Sequence, residues 1–292
     1  MTQNCLAQQF LNETCNTYDD GEPEETPIGG GGSSYGTGGG GTVPVFSDPV
    51  CGSNCIEPYE VISEPCIRLV NKTSSATYKQ KFKELNVPAN YTSSQESGFG
   101  EVIVNGQSQY IDGVPIGQSE LIPPNESINL THVHNNKPKT YINGTPYDGR
   151  IKILAPGDIA VLSRKCQIAN INNPKDAFVI MLSDNGIFAI TITEEFILNA
   201  TTITTSKWNE FKRNYDKEGL KISTNPYYDA DDKKEELQIM LLKQLKEMGL
   251  ENKVALFEGS IENENDLDIN NYKINWAQKK LNKNKLKEIP CN

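Results

Sequence analysis

The spacing of hydrophobic positions changes period several times along this chain, and each change predicts an element. Over 75–85, Tyr78, Phe82 and Leu85 recur at helical spacing with lysines between them, and Pro88 follows, so an amphipathic helix ends at Asn86-Val87-Pro88. Residues 96–106 read as a strand whose Asn105-Gly106 turns into a hairpin partner over 107–111. A second strand spans 127–134, and Ala155-Pro156-Gly157-Asp158 opens a helix with proline in the first turn and an early carboxylate at the positive end of the dipole. Segments 177–182 and 187–193 form a hairpin of two buried strands around Ser183-Asp184-Asn185-Gly186. A long helix over 231–248 carries Leu237, Met240, Leu241, Leu245 and Met248 on one face, expected to pack on a core. Short strands are expected around 254–257 and 272–276.

This order predicts an α+β or layered α/β domain over 66–205. A C-terminal extension, 206–292, carries the long helix and the short strands. Before the domain, 1–65 is a cysteine-containing, low-complexity segment: 16–48 combines an acidic stretch, Asp19 to Glu25, with glycine runs at 29–32 and 38–41, a composition too poor in apolar groups to repay ordering. No strand precedes the glycines and no Gly-Lys-Ser/Thr closes them, so they read as a disordered tether and not a phosphate cradle.

A net charge of −10 without a basic stripe excludes a nucleic-acid binder. The lysines between 279 and 287 read as a solvated face. No apolar run is long enough to span a membrane, and the first residues carry neither a basic region nor an apolar core of a secretion signal. Five of the seven cysteines, Cys5, Cys15, Cys51, Cys55 and Cys66, crowd the first quarter; Cys166 and Cys291 follow. Disulfides, a metal knuckle at Cys51 and Cys55, or free thiols would each fit, with disulfides ranked first. That ranking places maturation outside the cytosol, secreted or in the cell envelope, and makes Met1 an unnatural start. Seven Asn-x-Ser/Thr sequons, among them Asn71 and Asn129, would matter only in a eukaryotic secretory path.

The only two histidines stand two apart, His132-Val133-His134, at the end of a strand. Alternation sends both imidazoles to one face, which is half of a metal site. Catalytic zinc takes three protein ligands, an open position for water and a carboxylate to receive that water's proton. Asp158, at the following helix start, could be the third ligand. Glu96, at the head of the preceding strand, could be the base, with Glu101 as its rival.

Glu96-Ser97-Gly98-Phe99-Gly100, then His132-Val133-His134, then Ala155-Pro156-Gly157-Asp158 resembles the JAB/MPN (JAMM) metallopeptidase family, whose signature is a distant Glu, His-x-His and Ser-x-x-Asp. The likeness covers 66–205. It implies a bacterial-type, cytidine-deaminase-like mixed sheet flanked by helices, Zn2+ held by His132, His134 and Asp158, and Glu96 as general base. The implied substrates are peptides or proteins, including ubiquitin-like or isopeptide-linked chains. Two departures stand out. The family's serine is Ala155, and loss of one oxyanion donor costs about 10²- to 10³-fold in rate. The stretch from His134 to Asp158 is also longer than in the family, either a substrate lid or a surface insertion. The alternative is therefore a catalytically impaired relative acting as a binding module of a bacterial surface or secreted protein.

Overall fold

A computed structural model describes residues 63–116, 120–135, 139–140, 146–147, 151–167, 173–193 and 203–291. The expectations for the linker and for Cys5, Cys15, Cys51 and Cys55 lie outside the described residues.

Helix α1 (Glu64–Thr73) leads into α2 (Ala76–Leu85), where the Ser75 hydroxyl accepts the Tyr78 N–H as an N-cap. A one-turn helix α3 (Pro88–Tyr91) follows. Strands β1 (Gly98–Val104) and β2 (Gln107–Asp112) pair antiparallel, and Asn105 and Gly106, both at positive φ (51° and 75°), form the left-handed two-residue turn expected of Asn-Gly. A small hairpin, β3 (Val114–Ile116) and β4 (Glu120–Ile122), precedes β5 (Leu130–Val133). The stretch between His134 and Asp158 contains a two-rung ladder, β6 (Lys139–Thr140) with β7 (Pro146–Tyr147). Helix α4 (Pro156–Lys165) then leads to β8 (Phe178–Ser183) and β9 (Gly186–Ile192).

The chain beyond 205 continues the same sheet. Helices α5 (Thr205–Ser223) and α6 (Ala230–Glu247) are followed by β10 (Val254–Glu262), β11 (Lys273–Asn282) and β12 (Lys285–Pro290). The eight-stranded order is β12-β11-β10-β9-β8-β5-β1-β2, with β5 and β8 parallel and every other neighbouring pair antiparallel. A segment expected as an extension thus supplies three of the eight strands.

Helices cover both faces, so the architecture is mixed α and β in three layers. Strand β8 shows how: Val179 and Met181 enter the cluster beneath α4, α5 and α6, whereas Phe178, Ile180 and Leu182 enter the one beneath α1 and α2. All six of its residues are buried, which is why the sequence here is a continuous apolar run and not an alternating one. The stripe Leu237, Met240, Leu241, Leu245 and Met248 on α6 packs in the first cluster. A Cys66–Cys291 disulfide, with Cα atoms 5.1 Å apart, ties α1 to the residue that follows β12 within the same core cluster, so Cys66 belongs to the folded domain. Among the C-terminal lysines, Lys279 departs from the solvated face: it is buried and paired with Glu258 (2.8 Å) and with Glu288.

Candidate metal centre

A parallel strand pair needs a crossover, and β5-α4-β8 supplies it. This geometry brings the N-terminus of α4 over the carboxyl end of β5, the end of an α/β crossover at which ligands collect. His132 pairs in register with Met181, whose side chain lies in the cluster beneath α4, so the imidazole faces that helix. The N–H of His134 donates to Leu182 O at 2.8 Å, extending the ladder one rung and holding the second histidine on the same face. Thr131 points the other way, its hydroxyl 3.0 Å from that of Tyr78 on α2.

Asp158 occupies the third position of α4 and reaches back over the first turn. Its Oδ2 accepts the Ala155 N–H at 2.6 Å. The same carboxylate meets both imidazoles: Oδ1 is 3.1 Å from His132 Nε2, and Oδ2 is 3.5 Å from His134 Nε2. The three ligand atoms lie within 4.8 Å of one another. Tetrahedral ligands about 2.0–2.1 Å from a metal stand roughly 3.3 Å apart; each imidazole approaches its own carboxylate oxygen at about that distance, and one ligand atom from each residue falls within 4.8 Å of the others. His132 and Asp158 are buried, and the His134 side chain is 12% exposed, leaving it as the member nearest solvent. Burial alone would raise the Asp158 pKa. The adjoining imidazoles of His132 and His134 and the Ala155 N–H outweigh it and hold the carboxyl below its ordinary range. The ionised carboxylate is the form of Asp158 that coordination needs.

The two candidate bases separate by face. Gly98 pairs with His132 and Phe99 with Thr131 on antiparallel strands, and the Val133 N–H donates to Ser97 O; continuing that register ahead of β1 would set Glu96 opposite His134. Glu96 is buried there, on the histidine side by alternation, and is not one of the three ligand-forming residues. Glu101, an odd number of positions away, belongs to the opposite face. Its carboxylate accepts Asn129 Nδ2 at 2.5 Å and the Ser108 hydroxyl, and its own N–H donates to Asn129 Oδ1 at 3.0 Å. Glu101 is thus structural, and Asn129 is held in the same buried contact, which removes that sequon as a glycosylation site.

The glycines of Ser97-Gly98-Phe99-Gly100 have a steric reason. A Cβ on Gly98 would stand 2.5 Å from Thr131 O, 2.6 Å from Leu121 Cδ2 and 2.7 Å from His132 Cβ. One on Gly100 would stand 2.6 Å from Ser127 Cβ. Bare backbone there lets β1 and the β3–β4 hairpin close on the histidine strand. Lys152, which nothing in the local sequence pattern marks, places its ammonium 3.4 Å from Asn135 O and 3.8 Å from Asp184 Oδ1, just past His134.

Comparison with protein-family models, curated proteins and solved structures gives no match. Among the described residues, no helix is long and apolar enough to cross a membrane.

Proposed function

We propose that this chain is a zinc-dependent peptidase or isopeptidase of the JAB/MPN kind. The observation that carries the reading is the convergence of His132, His134 and Asp158 within 4.8 Å at the carboxyl end of β5. The resemblance in motif order and the three-layer mixed sheet support it. Two imidazoles and a carboxylate also suit other divalent ions, so the choice of zinc rests on the resemblance.

In this reading His132, His134 and Asp158 hold the ion, and Ala155 N–H fixes the Asp158 carboxylate between the two imidazoles. Zinc, when bound, supplies Lewis acidity and a water acidic enough to ionise near neutral pH. Glu96, beside His134 in the register, takes a proton on its carboxylate and returns it to the leaving amine nitrogen. The substrate is a peptide or isopeptide-linked chain. Ala155 favours a second reading, a binding module on the same fold, because its methyl group cannot donate to a developing oxyanion.

The test combines metal analysis with cleavage of a mixed peptide library. The peptidase reading expects one zinc per chain, lost in His132→Ala, and cleavage that disappears in Glu96→Gln while zinc stays bound. Zinc without cleavage in the parent protein selects the binding module. Absence of stoichiometric metal at neutral pH overturns both.

A further inference from the structure

A second, independent site lies on the opposite face of the sheet, between α1 and the start of β8. There Arg68, Lys72 and Lys175 line a cavity of about 10 Å³ together with Leu69, Phe178 and Asp176. The lining itself holds three cations and the single carboxylate of Asp176, with Glu64 and Glu101 beside Arg68 and Lys72 outside it. The cations are also incompletely used. Arg68 Nη2 donates to Ile192 O at 2.7 Å and Nε lies 2.7 Å from Glu64 Oε1, but Nη1 is buried with no hydrogen-bond partner. Lys72 stands 4.0 Å from Glu101 Oε2, beyond hydrogen-bond reach of a carboxylate already held by Asn129 and Ser108. Among the described residues Lys175, on the short turn of helix Pro174–Asp176, forms no ion pair.

A buried guanidinium N–H without an acceptor is costly, and a native fold retains one chiefly where something fills the gap. The cavity has room for one atom of about water size. Its Leu69 and Phe178 walls lower the local dielectric and strengthen attraction between the cations and a negative charge. We infer that this cavity binds a single small anion, either chloride or one oxygen of a phosphate-type oxyanion, which joins Arg68 on α1 to Lys175 at the entry to β8. The site shares no residue with the histidine cluster and lies beneath the other helical layer, so it stands or falls apart from the metal.

The experiment uses the full chain with chelator present, so that metal plays no part. Sodium chloride and sodium phosphate are titrated separately while thermal unfolding is followed, and 35Cl line width reports chloride directly. Saturable stabilisation is expected, a rise of roughly 3–6 °C at tenfold excess over Kd. Lys175→Gln, which breaks no observed contact, should melt near the parent without added anion and lose at least about tenfold in anion affinity. A response to chloride and phosphate alike, or to chloride alone, assigns a halide-sized ligand; a response to phosphate alone assigns the oxyanion. No saturable response in the parent, or an equal response in Lys175→Gln, overturns the site.

Discussion

His132 Nε2 lies 3.1 Å from Asp158 Oδ1 although 26 positions separate the two residues, and the β5-α4 crossover alone brings them together. Asp158→Asn keeps the size of the side chain but removes its charge and one acceptor oxygen. Zinc affinity, measured by competition with a chromophoric chelator, should fall at least about a hundredfold. In the zinc reading the ligand set exists only in the folded state, so zinc should raise the melting temperature of the parent, and this rise should disappear in His132→Ala and shrink sharply in Asp158→Asn. Equal stabilisation of all three proteins by zinc would show that the ion binds elsewhere.

Gly98 sets the close approach of β1 to β5. In Gly98→Ala the new methyl meets backbone Thr131 O and His132 Cβ, neither of which can rotate away. The expected cost is about 1–3 kcal/mol of stability from overpacking, read by urea denaturation, together with weaker metal binding because His132 is displaced. Gly106→Ala, where nothing lies within 4 Å, provides the contrast. It should lose stability from its positive φ yet keep parent-like metal affinity.

Elements fixed by short-range pattern were legible in the sequence: the Asn105-Gly106 hairpin, the β8–β9 pair and the buried stripe of α6 each follow from local period and turn chemistry. Three helices were not legible: α1, the single turn α3 and α5. Helix α1 carries Cys66, Ile67, Leu69 and Val70 in a run too short to fix a period, and its burial depends on distant partners, Trp276 Nε1 donating to Thr73 Oγ1 and Cys66 joined to Cys291. Helix α5 did carry a signal, a Thr204 cap followed by Trp208, Phe211, Tyr215 and Gly219 at helical spacing. At the site, His132, His134 and Asp158 were legible as residue types in a familiar order. The preference for Glu96 over Glu101 rested on the resemblance alone, because alternation says only that they face apart. The Gly98–His132 register decides which of them shares the histidine face, and strand pairing at that distance is a tertiary fact.

The Cys66–Cys291 disulfide closes 225 residues of chain. Both residues are buried, so mapping of the non-reduced protein should find them joined, and alkylation of the native protein should leave both unlabelled. Replacing both by serine should cost about 2–5 kcal/mol, read as a lower urea midpoint. Cys166→Ser makes the control: this thiol is unpaired and buried, its pKa pushed up to about 12 by desolvation, so it should resist alkylation in the folded parent as well.

Lys165, at the last turn of α4, is buried with its ammonium donating to the Ser127 hydroxyl, and desolvation together with neighbouring Arg164 brings its pKa down to about 7 from 10.5. Below pH 7 the lysine is charged in both states and the fold bears the whole cost of burying it. Between pH 7 and 10.5 the unfolded chain holds the proton that the native state has released, so stability rises with pH across that window. Lys165→Met should therefore stabilise the protein by on the order of 2–4 kcal/mol at pH 6, and the gain should fade as pH approaches 10. A gain independent of pH would mean that packing, and not charge burial, separates the two side chains.

Ala155 is the N-cap of α4, with extended backbone at φ −88° and ψ 166°, the conformation in which a serine hydroxyl can accept an N–H from the first turn. Its own N–H already holds Asp158 Oδ2, so substitution need not disturb the ligand set. Ala155→Ser should raise stability by about 1 kcal/mol with or without metal, measured by urea denaturation in the presence of chelator. In the peptidase reading the same hydroxyl restores an oxyanion donor, and cleavage of the library peptides should accelerate by about 10²- to 10³-fold at unchanged zinc content. Stabilisation without any gain in cleavage would assign position 155 to helix capping alone and favour the binding module. Faster cleavage without stabilisation would instead turn the hydroxyl toward the substrate and away from the helix.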